Sequence, residues 1–309
     1  MSDLKVIFMG TPEFCLPVLD ILIKNTNVIL VVSQPDKLVG RKKVLTPTPV
    51  KTLALENNIE VFQPIKIRDD YKRIIDLKPD IIITCAYGQI IPKEILDCPK
   101  YGCINVHASL LPYLRGGAPI QHSIIDGYDK TGITIMYMDE AMDTGDIIAS
   151  SDITISQNDT YGSVYNRLKN LAPTLLIDTL PSIINKTNKR IMQDNSLATY
   201  AWNIKREEEH IDFNNTGLKI DCLVRGLNPV PYANTLINNI EYKIVSGYFK
   251  PSKEVIPNKI VISKKELGIT CLDGIYYIKE LKPAGKKVMA VKDFLNGVNI
   301  DEFKNFEVK

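Results

Sequence analysis

Val6-Ile7-Phe8-Met9-Gly10-Thr11-Pro12, near the amino terminus, carries the reading of the fold. Four apolar residues in a row stop at a Gly-Thr-Pro turn. Glu13 to Lys24 follows with apolar Phe14, Leu16, Val18, Leu19, Leu22 and Ile23, which reads as a helix. Val28 to Ser33 is a second near-continuous apolar run, and Asp80-Ile81-Ile82-Ile83-Thr84 a third. Cys103 to His107 and Ile133 to Met138 complete the set, with short helical stretches at Leu53 to Asn57 and Asp69 to Leu77. Strands apolar on both faces and separated by helices predict a largely parallel sheet in an α/β domain. The Gly10-Thr11-Pro12 turn lacks both G-x-G-x-x-G and the P-loop pattern. It reads as a tight strand-to-helix turn with proline near the first helical position.

Further along, Asp159 to Ile184 reads as mostly helical on Leu168, Leu171, Leu175, Leu176 and Leu180. The pattern then loosens, and residues 185–204 are expected to form a linker. Lys205 to Ile211 reads as a short charged helix or turn, and Leu218 to Leu227 as an amphipathic helix. From Ala233 onward short strands recur at Ala233 to Ile237, Glu241 to Gly247, Lys259 to Ile262, Gly268 to Leu272 and Gly274 to Leu281. That spacing suggests a small barrel or sandwich. A chain of 309 residues is long enough for two cores. The expected division is 1–184, a linker at 185–204, and 205–309.

Composition excludes several classes. A formal charge of +2 is too small to announce a nucleic-acid binder, so any such surface must come from local clustering. Six scattered cysteines without C-x-x-C spacing and three histidines suggest neither a zinc site nor a disulfide framework. There is no signal-peptide h-region and no apolar run of the ~20 residues that span a bilayer. The cytoplasm is the expected location, with no membrane partner.

The richest chemistry lies in Gly102-Cys103-Ile104-Asn105-Val106-His107-Ala108-Ser109-Leu110-Leu111-Pro112, followed by Arg115-Gly116-Gly117-Ala118-Pro119. Asn105 and His107 sit two apart, so a strand points both to one face. Asn brings an amide donor and His a group that titrates near neutrality. Such a pair suits polarising a carbonyl and carrying a proton; it also suits a satisfied polar pair at a turn. Ligands of parallel sheets bind beyond the carboxyl ends of the strands, where His107 falls.

Asp139, Glu140, Asp143 and Asp146 crowd one loop after a strand. Three readings stand: a divalent-metal site, a solvated acidic turn, or one carboxylate folding back to orient His107 and stabilise its charged form. Between Lys37 and Lys51 run Lys37, Arg41, Lys42, Lys43 and Lys51, with no acidic residue. This glycine- and proline-containing loop is either a solvated face or a grip on an anionic partner.

Several segments resemble the methionyl-tRNA formyltransferase family over essentially the whole chain. They are Val6 to Phe14, Ser33-Gln34-Pro35-Asp36, Tyr87 to Pro92, Gly102 to Pro112, Arg115 to Gln121, Thr131 to Met136 and Asp143-Thr144-Gly145-Asp146. Ala198-Thr199-Tyr200-Ala201, Asn228-Pro229 and Gly285-Lys286-Lys287 continue the match. The Asn-x-His and Ser-Leu-Leu-Pro signals alone fit several 10-formyltetrahydrofolate-dependent transferases; the basic loop and the C-terminal matches narrow the resemblance. It implies an α/β fold with an N-terminal Rossmann-like formyltransferase domain and a smaller C-terminal OB-like β-barrel. It implies formyl transfer from 10-formyltetrahydrofolate to the α-amine of initiator methionyl-tRNA, by a monomer and without a metal.

By the same resemblance Asn105, His107 and Asp143 form the catalytic trio. Tyr87, Gly88, Gln89, Ile90, Ile91, Pro92, Ser109, Leu110, Leu111, Pro112 and Asp139 line the folate site. Arg41, Lys42 and Lys43 enter the acceptor end of the tRNA. This chain departs from the family pattern at Lys42, where glycine is frequent, at Ala141-Met142, at Val230-Pro231-Tyr232 and at Phe213. Two rival readings remain. One is a transferase for a small acceptor, which would not need the Arg41 loop. The other is a tRNA-binding protein without catalysis, which would not need the trio.

Overall fold

The computed structural model describes residues 1–40, 42–253 and 255–308. The chain divides into two compact units. One comprises Met1–Pro119, Thr131–Ile153 and Tyr165–Trp202; the other comprises Ile120–Lys130, Thr154–Val164 and Asn203–Lys309.

The first unit is built on a seven-stranded sheet. Its strands are β1 (Lys5–Gly10), β2 (Asn27–Val32), β5 (Val61–Phe62), β6 (Ile81–Cys85), β7 (Cys103–His107), β8 (Lys130–Tyr137) and β9 (Ile147–Thr154), in the order β5-β2-β1-β6-β7-β8-β9. Pairings from β5 to β7 are parallel, and β8 runs antiparallel to β7. This is the largely parallel sheet that the apolar runs predicted, and it has the Rossmann-like form that the family resemblance implied. Every residue of β6 is buried, as are five of the six in β1, so neither strand alternates. The sequence reading passed over β5, which has only two residues, and β9, a sheet-edge strand that carries the polar run Ser150-Ser151-Asp152.

Helices differ from expectation mainly at their starts. The helix expected from Glu13 is a 3-10 turn, Glu13–Cys15, followed by α1 (Leu16–Asn25) with proline in its first turn. The helix expected at Leu53 begins earlier, as α2 (Pro49–Glu56), because Thr48 caps it by accepting from the Lys51 amide at 3.2 Å. The next two helices are α3 (Lys72–Asp76) and α4 (Lys93–Leu96). The stretch read as a basic loop holds a two-stranded ladder, β3 (Lys37–Val39) with β4 (Val44–Thr46). Two more helices follow in sequence, α5 (Pro119–Ile125) and the long α6 (Tyr161–Ile184).

The second unit carries α7 (Gly217–Gly226) and an antiparallel, OB-like sheet. Its strands are β10 (Ala233–Ile237), β11 (Ile240–Pro251), β12 (Ile260–Ile262), β13 (Leu267–Cys271), β14 (Gly274–Pro283) and β15 (Met289–Ala290). The long β11 slips register between Ile244 and Gly247 against β14, a bulge that bends the ladder. Phe213, Ile220, Val224, Ile244, Ile269 and Tyr276 fill the core beneath it. Among the described residues no helix is long and apolar enough to cross a membrane.

Candidate active site

The site is assembled at the carboxyl end of β7. Asn105 pairs in register with Thr84 of β6 and with Met136 of β8, and His107 pairs with Thr134. The Thr84 hydroxyl donates to Asn105 Oδ1 at 2.8 Å. That bond turns the amide NH2 of Asn105 toward Asp143 Oδ1, 3.4 Å away. The same Oδ1 lies 3.6 Å from His107 Nδ1, which is ion-pair range. The other carboxylate oxygen accepts the Gly116 amide at 2.9 Å. His107 is 6% exposed, and its Nε2 lies 3.1 Å from the Leu114 carbonyl. Both ring nitrogens therefore face acceptors.

Three of the four acidic residues in the 139–146 loop go elsewhere. Asp139 accepts the Thr144 hydroxyl and the Ala141 amide, Glu140 pairs with Lys93, and Asp146 pairs with Arg190. Asp143 alone among the four reaches the histidine. The loop's shape is forced at two places. Asp143 holds a left-handed φ of 55°, a region that Asp tolerates better than most residues. Gly145 packs so closely on β8 that a Cβ there would lie 2.0 Å from the Tyr137 carbonyl oxygen.

The turn after β7 is tied down as well. Thr134 donates to the Ser109 carbonyl at 2.7 Å and accepts the Leu111 amide at 3.2 Å, while Ser109 donates to the Tyr113 carbonyl. Leu110 and Pro112 are half-buried, and Ser109 and Leu111 are buried. In the 87–92 segment the Tyr87 ring and Ile91 enter the core. Burial raises the Tyr87 hydroxyl above the usual tyrosine range, and its oxygen has no hydrogen-bond partner among the described residues. Gln89 is spent on the Ile67 amide and the Pro64 and Ile65 carbonyls. Gly88 and Ile90 are exposed, and Pro92 half-buried.

Lys42 and Lys43 lie between β3 and β4, both exposed; Arg41 lies outside the described residues. A cavity of about 270 Å³ lined by Tyr248, Lys265, Tyr277, Lys279 and Lys292 belongs to the second unit, and none of the sequence-read site residues lines it.

Sequence reasoning missed a set of residues in the stretch read as a linker. Thr199 accepts the Leu114 amide through its side chain and the Arg115 amide through its carbonyl. Ala201 exchanges backbone bonds with Arg115 and Ala118. Gly116, at φ 123°, lies where a Cβ would be 2.6 Å from the Ala201 carbonyl oxygen. Gln193 bonds to Arg115 on one side and to the 143–145 backbone on the other. The available signal was the Ala198-Thr199-Tyr200-Ala201 match; nothing local marks Gln193.

The formyl transferase model matches residues 4–180, and the model of the formyl transferase C-terminal domain matches 203–299. A methionyl-tRNA formyltransferase of Staphylococcus epidermidis is 47% identical over 298 residues, covering 95% of this chain and 96% of its own. The chain belongs to the methionyl-tRNA formyltransferase family. A family member from Bacillus cytotoxicus is likewise 47% identical, with 96% and 97% of the two chains covered. Among solved structures, an N-formyltransferase of Helicobacter canadensis in complex with folinic acid and dTDP-3-aminofucose aligns with a TM-score of 0.68 at 21% identity. It covers 89% of this chain and 98% of its own. A sugar 3N-formyl transferase crystallised with dTDP and 5-N-formyl-THF gives 0.67 at 21% identity, over 93% and 100%. At that identity the likeness is one of fold.

Proposed function

We propose that this chain transfers the formyl group of 10-formyltetrahydrofolate to the α-amino group of methionine on initiator tRNA, as a monomer in the cytoplasm. Family membership supports the reaction. The observation that carries the mechanism is the convergence of Asn105, His107 and Asp143, with one carboxylate oxygen 3.4 Å from the amide and 3.6 Å from the imidazole. The folate donor supplies the formyl carbon. The second amide hydrogen of Asn105 and the Nδ1–H of the charged His107, which at 3.6 Å makes no hydrogen bond to Asp143, donate to the formyl oxygen as negative charge grows there during attack by the neutral amine. Asp143 takes the proton that the amine loses, through a water, and holds His107 in its charged form. His107 returns a proton to the folate nitrogen as the carbon–nitrogen bond to the donor breaks. One nitrogen–carbon bond forms and one breaks, without a metal or a covalent enzyme intermediate, and the proton on Asp143 then passes to His107 to reset the pair.

In this reading residues 1–184 hold the chemistry and residues 205–309 add contacts to tRNA. The 185–204 stretch joins them in sequence and lends Gln193 and Thr199 to the site. Ser109 to Pro112, the 87–92 segment and the Asp139 loop flank the folate, which the exposed Gly88 and Ile90 beside buried Tyr87 and Ile91 support. Arg41, Lys42 and Lys43, which follow β3 in sequence, grip the acceptor end of the tRNA.

The test is formyl transfer to charged initiator tRNA, measured beside transfer to a small amino-sugar nucleotide. Transfer to the tRNA with none to the sugar is expected. The reverse result overturns the acceptor assignment.

A further inference from the structure

Two hydrogen-bond networks meet at the side chain of Gln193, which is buried. Its amide oxygen accepts two bonds from Arg115, at 3.2 Å from Nε and 2.7 Å from Nη2. Its amide nitrogen donates to the Asp143 carbonyl at 2.9 Å and to the Gly145 carbonyl at 2.8 Å. An amide side chain has two hydrogens to give and two lone pairs to offer, so this one is fully used. The buried guanidinium of Arg115 can only donate, and it also donates to Asn195 Oδ1 at 2.8 Å. It therefore decides which end of the Gln193 amide faces it, and leaves the NH2 to the loop.

The loop needs such a hold. Asp143 is in the left-handed region, which costs a non-glycine residue roughly 1 kcal/mol or more and persists where its surroundings over-determine it. The bonds from Gln193 fall on Asp143 itself and on Gly145, two positions on. Register brings Gln193 there: Ile191 pairs with Ile147 across an isolated bridge, and the chain runs antiparallel beside the loop from that point.

We propose that Gln193, turned by Arg115, is a positioning residue that clamps the 143–145 backbone so that the Asp143 carboxylate points at His107 and Asn105. The inference rests on the reading of Asp143 as a reacting group. The competing account is a buried polar network that only stabilises the fold.

Gln193→Glu separates the two. A carboxylate keeps the size and the acceptors toward Arg115, gains an ion pair, and loses both donors to the loop. Steady-state kinetics with charged tRNA and the folate donor are run where circular dichroism shows each variant folded. The expected result is a variant that stays folded with a lower melting temperature, because two loop carbonyls lose their donors, and kcat about 10- to 100-fold lower. KM for either substrate should stay within about threefold, as fits a loss confined to the reacting step. Gln193→Ala should show the same fall in kcat with a lower melting temperature. In an Asp143→Asn background the Gln193→Glu cost should nearly vanish, because the group it positions is already gone. Parental kcat in folded Gln193→Glu overturns the proposal, as does a cost that survives undiminished beside Asp143→Asn. Parental activity of the single Asp143→Asn variant overturns the reading of Asp143 and the proposal with it, and is recognised in that variant alone.

Discussion

Asp143 Oδ2 accepts the backbone amide of Gly116 at 2.9 Å. The carboxylate is thus aimed by main chain, and its second oxygen is left for Asn105 and His107. Backbone donors are harder to displace than side chains, so the Asp143–His107 geometry should survive changes to either ring or amide.

His107→Ala and Asp143→Asn are each expected to lower the transfer rate by at least ~100-fold while the fold persists. Single-turnover rates with circular dichroism check this. Near-parental turnover by either variant removes it from the reacting group.

Asn105 is expected to act as a donor. Asn105→Asp sets a carboxylate beside Asp143 and beside the forming oxyanion, so turnover at saturating donor should fall on the order of 10²-fold. Thr84→Val removes the bond that orients the amide and should cost less, about 3- to 10-fold, roughly one hydrogen bond's worth. Equal losses in both would mean that Asn105 serves the turn instead of the oxygen.

Arg115→Met should destabilise the first unit. It strips both donors from the buried Gln193 amide oxygen, and an unpaired buried acceptor costs about 1–3 kcal/mol, whereas exposed Asn195 can turn to water. Denaturant unfolding with a two-state fit measures the change; a midpoint equal to the parent's would show that these amides find other partners.

Gly145→Ala should disrupt the loop, because its Cβ would meet the Tyr137 carbonyl at 2.0 Å. The backbone must shift, and activity should fall further than stability. A crystal structure with the loop unmoved would contradict the argument.

The basic hairpin is expected to serve the tRNA. Arg41→Ala should reduce transfer to initiator tRNA and weaken discrimination against elongator tRNA, with donor binding unchanged. Removing the charge of Lys42 or Lys43 should lower the salt slope of tRNA binding by about 1 each. A loss of donor affinity with tRNA binding spared would place the loop in the folate site.

Much of the fold was legible because its cause is local. Runs such as Ile81-Ile82-Ile83 have no polar face, and such a strand must be covered on both sides. The two-residue spacing of Asn105 and His107 likewise placed them on one face of β7. Helix starts were less legible: Thr48 caps α2 five residues before Leu53, where its apolar pattern becomes clear. The strands β3 and β4 were hidden because their apolar side chains Leu38, Val39, Val44 and Leu45 are exposed and lack a core periodicity.

The amino-acid sequence by itself determined the α/β architecture, the strand-rich second unit and the polar pair at the end of β7, since each follows from periodicity within a few residues. Only the tertiary structure decided which of four neighbouring acids meets His107, and that a stretch without pattern supplies Gln193 and Thr199. Those choices depend on polar contacts between groups 36 to 85 residues apart, counted from Asp143 back to His107 and from Thr199 back to Leu114. Such bonds leave no local signature: a buried amide or carboxylate has meaning only through the partner that the fold brings to it.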